Sequence, residues 1–327
     1  MIKIVVDIYG ADDGTQVVIN GIAKALNSGM EFFPVMVGDK DHITELMQRN
    51  GITDDRYEIV NTDKFISASD PASCIFGGCD DSSMAMGYAR LKDDDECCAM
   101  LSPGNTGALL VGSICRLGLI EGLKFPALAC HMPCCLGKTI CLVDCGSNTD
   151  CTAADLERYA KMGDIFCKCY CKIENPRVGL MSVGREKQKG SKLIYEAYER
   201  IEKLPLNFVG NIEGSDMVTG YADVIVSDGF SGNVLIKCVE SVGKAAADML
   251  SDFSGQVDAD TLKRMQQALL KRFDMNSQGA ATFLGPKKTV VKMHGCANED
   301  TTVSAIELIV DLENSKLRER LSTAFVK

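Results

Sequence analysis

The chain predicts an α/β fold of three layers, with a doubly wound, mostly parallel sheet between helices. Three observations predict it. Short apolar runs alternate with longer amphipathic ones along nearly the whole sequence. The short runs are almost continuous in Val, Ile and Leu, as strands buried on both faces require. The 327 residues are 46% apolar and 24% charged, near the globular average, which excludes disordered, collagen-like and low-complexity classes. A chain of this size buries enough core to fold without disulfides.

Each element follows from its run. Ile2–Val6 is the first strand, ended by Asp7, and Gln16–Asn27 is the helix after it. Strand Phe33–Val37 leads to helix Ile43–Asn50, and strand Tyr57–Val60 to helix Ser82–Leu91. Strand Cys98–Leu101 runs through a Gly-rich loop into helix Thr106–Leu117. Strands Ala127–Cys130 and Ile140–Val143 precede the long helix Thr152–Cys171. Strand Val178–Ser182 precedes helix Lys187–Glu202, and Asn207–Val209 is a further strand. Strand Val224–Val226 precedes helices Gly232–Phe253 and Asp260–Phe273. Strand Val290–Met293 precedes helix Thr301–Ser322. There is no internal repeat, no low-complexity linker and no visible boundary, so 1–327 reads as a single domain.

The 45 acidic against 35 basic residues leave a net charge of −10, which argues against a nucleic-acid binder. Asp7 arrives too early for the apolar core of a signal peptide. The longest uncharged apolar-rich run, 97–115, is broken by Ser102-Pro103-Gly104-Asn105-Thr106-Gly107, so no membrane span is expected. The expected compartment is a reducing cytoplasm.

In such folds ligands bind beyond the carboxyl ends of the strands. Three strand ends there share one design. They are Ser102–Gly107, Gly184-Arg185-Glu186-Lys187-Gln188-Lys189-Gly190, and Ser227-Asp228-Gly229-Phe230-Ser231-Gly232-Asn233, each followed by a helix. Glycine admits close approach of backbone N–H groups, and a helix N-terminus favours an anion. One such loop is ordinary turn and cap chemistry. Three together point to a phosphate site.

Other phosphate fingerprints fail. Gly10-Ala11-Asp12-Asp13-Gly14 after the first strand lacks the dinucleotide spacing. Gly137-Lys138-Thr139 ends like a P-loop, but Met132 stands where its first glycine belongs. No Gly-x-Ser-x-Gly elbow occurs, and His42, His131 and His294 are the only histidines, which speaks against a Ser-His-Asp hydrolase. Asp7, Asp12 and Asp13 after the first strand, and Asp144, Asn148 and Asp150 after Ile140–Val143, are either helix-capping or substrate-facing.

At this point a family resemblance stands out. Its signature includes Val6-Asp7-x-x-Gly10-x-Asp12, Ser102-x-Gly104-Asn105-Thr106-Gly107-Ala108, Pro126-Ala127-Leu128-Ala129 and Val143-Asp144-x-Gly146-x-Asn148-x-Asp150. It continues through Asn175-Pro176-Arg177-Val178-Gly179-Leu180, Lys189-Gly190, Phe208–Gly214, Ala222–Val234 and His294-Gly295. In order and spacing over essentially the whole chain, these resemble the acyl-ACP:phosphate acyltransferase (PlsX) family. The resemblance implies transfer of a fatty acyl group from acyl carrier protein to inorganic phosphate, giving acyl phosphate for phospholipid synthesis. It implies a fold of the isocitrate/isopropylmalate dehydrogenase and phosphotransacetylase type, no cofactor and no metal. It also implies a homodimer held peripherally at an anionic membrane surface, upstream of a glycerol-3-phosphate acyltransferase.

The residues fit that chemistry. Lys189 would clamp charge, Asp228 would orient it or take a proton, and Asn105 and Asn233 would be polar catalytic ligands. Asp7, Gly10, Asp12, Gly104, Thr106, Gly107, Ser231 and Gly232 would bind phosphate or substrate. Lys189 as a solvated helix-start lysine is the plain alternative. Three features depart from the family pattern. Asp81-Ser82-Ser83 lacks the usual preceding basic residues, the Gly184 loop keeps Glu186 between Arg185 and Lys187 instead of an acidic pair, and Pro103 replaces a small residue. They leave open a diverged non-catalytic paralogue, or a phosphotransacetylase-like enzyme using acyl-CoA.

From Lys263 to Lys292 there are seven basic residues and one acid, Asp274, a net +6 in an acidic chain. Leu262, Met265, Leu269, Leu270 and Phe273 fall on one helical face of an amphipathic segment at about 258–275. With Lys263, Arg264, Lys271 and Arg272 beside them, they suit an anionic membrane or acyl carrier protein. The 16 cysteines contain no C-x-x-C pair, so they read as small hydrophobes and not as a metal or redox site.

Overall fold

Strand β1 (Ile2–Asp7), helix α1 (Thr15–Asn27), β2 (Phe32–Gly38), α2 (Lys40–Arg49), β3 (Glu58–Asn61), α3 (Ser83–Asp93), β4 (Cys97–Ser102) and α4 (Thr106–Gly112) form the first stretch. Then come β5 (Ala127–Pro133), β6 (Thr139–Val143), α5 (Ala153–Phe166), β7 (Arg177–Met181), α6 (Lys192–Ile201), β8 (Asn207–Ile212), α7 (Gly214–Thr219), β9 (Val224–Val226), α8 (Gly229–Met249) and α9 (Ala259–Phe273). The chain ends with β10 (Ala281–Leu284), β11 (Thr289–Lys292), α10 (Glu299–Asn314) and α11 (Leu317–Phe325). This structure, a computed structural model, describes residues 1–134, 139–273 and 280–326, without the side chains of Pro133, Val218, Lys271 and Arg272. Gly137, Lys138 and Asp274 therefore lie outside the described residues, as do the Lys271 and Arg272 side chains.

The α/β class is as expected, with mostly parallel strands flanked by helices. The chain divides into two compact units, Met1–Pro126 with Gly279–Lys327, and Ala127–Gln278. The division is silent in the sequence because neither junction has linker composition.

In the first unit the strand order is β3-β2-β1-β4-β11-β10. The chain winds outward from β1 through β2 to β3, then returns to place β4 on the other side of β1. The carboxyl ends of β1 and β4 thus flank the switch point where open α/β sheets hold ligands. β1 and β4 are parallel and almost wholly apolar, with Ile4, Val5, Val6, Ala99, Met100 and Leu101 all out of water. Burying each larger side chain contributes about 1.5–3 kcal/mol. β10 runs antiparallel to β11.

In the second unit the order is β5-β6-β9-β7-β8. β9 inserts between β6 and β7, parallel to both, so the loops after β6 and β9 are neighbours. β5 and β6 are antiparallel. Cys130 and Cys141 are buried in these strands, acting as small hydrophobes.

Helix starts are set by polar caps that satisfy free N–H groups. Asp39 accepts from His42 N at 2.7 Å, Ser191 from Ile194 N at 3.4 Å, and Thr152 and Asp155 form a capping box. The helix expected over Lys187–Glu202 begins only at Lys192, because Gly190 (φ +105°) cannot continue a helix backwards and Ser191 caps. The helix expected over Thr301–Ser322 is two, α10 and α11, broken at Lys316 in the left-handed region (φ 55°). The helix expected from Gly232 begins at Gly229, one turn earlier.

Candidate active site

The first unit brings together the residues singled out after β1 and β4. The Gly10 and Gly104 loops touch: a Cβ on Gly10 would lie 2.5 Å from Gly104 Cα. With φ at +109°, only glycine suits position 10. Asp7 is buried, and its carboxylate accepts from Ser102 Oγ at 2.7 Å and from Tyr9 N at 3.2 Å. Ser102 Oγ in turn accepts from Gly104 N at 3.0 Å, so Asp7 shapes the loop through a serine. Burial pushes the Asp7 carboxyl above the usual carboxylate range, opposed by these bonds and by the Lys292 charge. Asp12 stays exposed. Its backbone N donates to Gly295 O at 2.7 Å and its carboxylate lies against Gly295.

Asn105 is not a free polar ligand. Its Oδ1 caps α4 by accepting from Ala108 N at 3.0 Å. Its Nδ2 donates to Ser67 O at 3.0 Å and Asp70 O at 3.1 Å. What faces outward is backbone: among the described residues, the Thr106 and Gly107 N–H groups have no protein acceptor. The Thr106 side chain is exposed beside them.

The basic charge that the sequence lacks before Asp81 arrives from other elements. Arg116 forms an ion pair with Asp80 and donates Nε to Ile75 O at 2.9 Å, and Lys64 pairs with Asp81. Both cations are met by carboxylates.

The second unit places Asp144, Ser227, Asp228, Ser231, Gly232 and Asn233 at adjoining strand ends. Asp144 is buried within a nest of donors: Leu128 N (3.0 Å), Gly146 N (3.1 Å), Ser147 N (3.0 Å), Ser147 Oγ (2.7 Å) and Asn148 N (2.7 Å). This loop already holds its anion, an internal one. Burial pushes Asp144 upward and the loop donors pull it back. Asp228 caps α8, accepting from Ser231 N at 2.8 Å. The Asn233 amide lies over Gly146, 3.0 Å from where a Cβ would be.

Of the basic residues in the Gly184 loop, Arg185 is taken by buried Asp216 and lies over Tyr221, 4.9 Å from the ring centre. Lys187 bridges Glu199 and Glu202, each at 2.7 Å. Exposed Lys189 has no carboxylate partner among the described residues, and no ion pair joins it to Asp228. It sits in the turn before α6, closed by its N–H donating to Glu186 O at 2.9 Å and by Asn211 Nδ2 donating to the same carbonyl at 2.9 Å.

The basic amphipathic segment divides. α9 packs on α8, with Gln266 Nε2 donating to Ala247 O at 3.2 Å and Phe273 seated on Gly243. Leu262, Leu269 and Phe273 are half-buried on that face, so the apolar stripe is partly a core seam. Met265 and Leu270 point outward, with exposed Lys263 and Arg264 near them. α8 adds exposed Phe230, Val234, Val242 and Met249 at helical spacing along one side. Lys288 and Lys292 belong to the first unit instead. Lys288 Nζ donates to the carbonyls of Leu91, Asp94 and Cys97 at 2.5–2.9 Å.

His131 is buried against Tyr170, with Nε2 3.3 Å from the phenolic oxygen. Among the described residues, no group of three or more His, Cys, Asp or Glu is arranged to hold a metal ion. No described helix is long and apolar enough to cross a membrane.

The comparisons with known proteins agree along the length of the chain. The model of a family described as fatty acid synthesis protein matches residues 2–320. A phosphate acyltransferase of Thermoanaerobacterium thermosaccharolyticum is 36% identical over 311 residues, covering 93% of this chain and 91% of the relative. One from Bacillus cereus is 33% identical over 330 residues, 99% of this chain and 98% of its own. Among solved structures, a phosphotransacetylase from Streptococcus pyogenes aligns over 97% of this chain and 94% of its own, at TM-score 0.61 and 15% identity. The EutD phosphotransacetylase of Staphylococcus aureus aligns at TM-score 0.59 and 13% identity, over 97% of this chain and 94% of its own. These two likenesses concern the fold.

Proposed function

The chain belongs to the fatty acid synthesis protein family and is an acyltransferase that moves an acyl group to phosphate, and from that premise we propose acyl carrier protein as its acyl donor and phospholipid synthesis as its purpose. The observation that carries the reading is the Ser102–Gly107 loop at the β1/β4 switch point, with outward N–H groups and Asp7 engaged beneath.

The chemistry needs little from side chains. A phosphate oxygen attacks the thioester carbonyl, the C–O bond forms, and the carbonyl electrons move onto oxygen. The C–S bond then breaks and the thiolate leaves, taking a proton from solvent. Phosphate is already nucleophilic and thiolate leaves well, so positioning and oxyanion stabilisation can carry the rate. In the first unit, the Thr106 and Gly107 N–H groups hold phosphate, with Gly10 and Gly104 keeping side chains out of the way. Asn105 serves by fixing that loop, in place of direct contact with the reacting atoms. In the second unit, exposed Lys189 is the candidate cation of the Gly184 loop, and Ser231, Gly232 and Asn233 line the start of α8. Asp228 holds that start as its cap.

The domain reading over 1–327, the homodimer and peripheral attachment to an anionic membrane belong to the same proposal. Support for attachment is the exposed Met265, Leu270, Lys263 and Arg264 of α9 beside the exposed apolar side of α8. A short-chain acyl-CoA thioester is the second reading, favoured by the phosphotransacetylase-like fold. One assay separates them: protein, phosphate and either acyl carrier protein or CoA thioesters, with hydroxylamine trapping of acyl phosphate. Product from long-chain acyl carrier protein supports the proposal. Product from short acyl-CoA alone replaces it with the second reading.

A further inference from the structure

A lysine at the end of β11 stands apart from the surface cations. Lys292 pairs in register with Ser102 across the β11–β4 ladder, so its side chain rises beside the start of the phosphate loop. Its ammonium donates to Pro103 O at 2.9 Å and to Met293 O. It faces Asp7 at the end of β1, Asp12 in the loop after β1, and Cys296 just beyond β11. Cys296 Sγ lies 3.2 Å from His294 Nδ1 in the same turn. On β10, the residue opposite Lys292 is Ala281, which carries no charge. Two carboxylates therefore stand near a loop that must accept an anion, and Lys292 is the cation that faces both and holds the loop's Pro103 carbonyl.

We propose that Lys292 is a positioning residue for phosphate: its ammonium holds the Pro103 carbonyl and offsets Asp7 and Asp12, so that the Ser102–Gly107 loop presents its N–H groups to an anion. This rests on the acyltransferase reading of that loop. Without the ammonium, buried Asp7 repels the phosphate dianion through a low-dielectric wall, exposed Asp12 adds a weaker, solvent-screened repulsion, and the Pro103 carbonyl loses its charged donor. Lys292 does not touch the reacting atoms. Its removal acts on phosphate affinity before it acts on turnover.

Burial, against the pull of Asp7, Asp12 and Cys296, lowers the Lys292 ammonium to about 8. The charge is present at neutral pH and is lost on the alkaline side, which makes pH a second handle. Arginine keeps its charge throughout.

The test compares wild type, Lys292→Met and Lys292→Arg. The KM for phosphate and kcat are measured by hydroxamate trapping with a saturating acyl thioester, from pH 6.5 to 9.5. Inorganic phosphate binding to the same proteins is measured by calorimetry, which requires no turnover. The expectation for Lys292→Met is a KM for phosphate raised by about tenfold to a hundredfold with a much smaller change in kcat. Lys292→Arg should restore most of the affinity. Wild-type affinity should fall as pH rises past about 8, while that of Lys292→Arg stays level and serves as the control for phosphate's own titration. Equal phosphate affinity in wild type and Lys292→Met, or one alkaline profile shared by wild type and Lys292→Arg, overturns the proposal. If Lys292→Met fails to fold, the comparison of wild type with Lys292→Arg decides alone. If no thioester gives product but calorimetry shows phosphate binding that follows Lys292, the acyltransferase reading fails and the positioning role stands.

Discussion

Replacing Gly232 by alanine tests the geometry of the second unit most sharply. A Cβ at Gly232 would stand 2.0 Å from the Asp144 carbonyl oxygen and 2.8 Å from Ser227 Oγ. Ordinary contact begins near 3.4 Å, so the methyl falls about 1.4 Å short of room. The obstacle cannot yield. Asp144 N donates to Ser227 O at 3.0 Å, Asp144 O accepts from Ser227 Oγ at 2.9 Å, and the Asp144 carboxylate sits in its nest of donors. The first turn of α8 must lift instead, by about an ångström. Overpacking of this kind costs about 1–3 kcal/mol. Misplacing catalytic groups by about 1 Å costs on the order of a hundredfold in rate. The expected result is thus a folded protein, less stable by a modest amount, with acyl phosphate formation down about a hundredfold. Urea denaturation reads the first and hydroxamate trapping the second. Gly214→Ala is the control, since nothing lies within 4 Å of a Cβ there. Activity within about threefold of wild type, with stability changed by less than about 0.5 kcal/mol, refutes the idea that this junction positions α8 for catalysis.

Three further outcomes follow from the contacts. Asn105→Ala removes the α4 cap and both ties to the 67–70 loop, so stability should fall by about 1–2 kcal/mol. Its KM for phosphate should rise as well; an unchanged KM in a destabilised protein would separate the cap from the site. Lys288→Met strips three carbonyls of their shared donor and should cost about 2–4 kcal/mol in chemical denaturation while leaving the KM for phosphate unaltered. Lys292 also predicts a pH slope in stability. The unfolded lysine titrates at its ordinary value of 10.5 and the folded one at about 8, so the unfolded chain binds more protons between these values. Stability should therefore rise from pH 8 toward 10.5, by at most about 3 kcal/mol, and Lys292→Met should lose that rise.

Much of the fold was legible because it rests on local rules. Alternating apolar and amphipathic runs marked the strands and helices, and the strand-end glycine loops fell at the two places where strand order turns back. What escaped depends on tertiary partners. β10 (Ala281–Leu284) carries no Val or Ile run to declare it and takes strand form in its antiparallel pairing with β11. Lys316 breaks α10 from α11 with no glycine or proline to announce it. In the candidate site, the sequence does not show which partners each polar side chain takes. Asn105 looked like a ligand and is a cap. Asp144, left between a helix cap and a substrate-facing carboxylate, is held by its own loop's donors. Lys292 read as one more cation in a basic stretch, because sequence does not say on which side of β11 its ammonium emerges or that Pro103 O waits there. Arg116 supplies Asp80 with a cation that no local motif foretold.

The central claim is that this chain uses phosphate as the acceptor of a thioester's acyl group. The direct measurement is incorporation of labelled phosphate into an acyl phosphate, followed together with release of the free thiol from acyl carrier protein. The expected result is one labelled acyl phosphate for each thiol released, with both signals lost when phosphate is omitted. Thiol release that proceeds at the same rate without phosphate, or with no label in the acyl product, would contradict it.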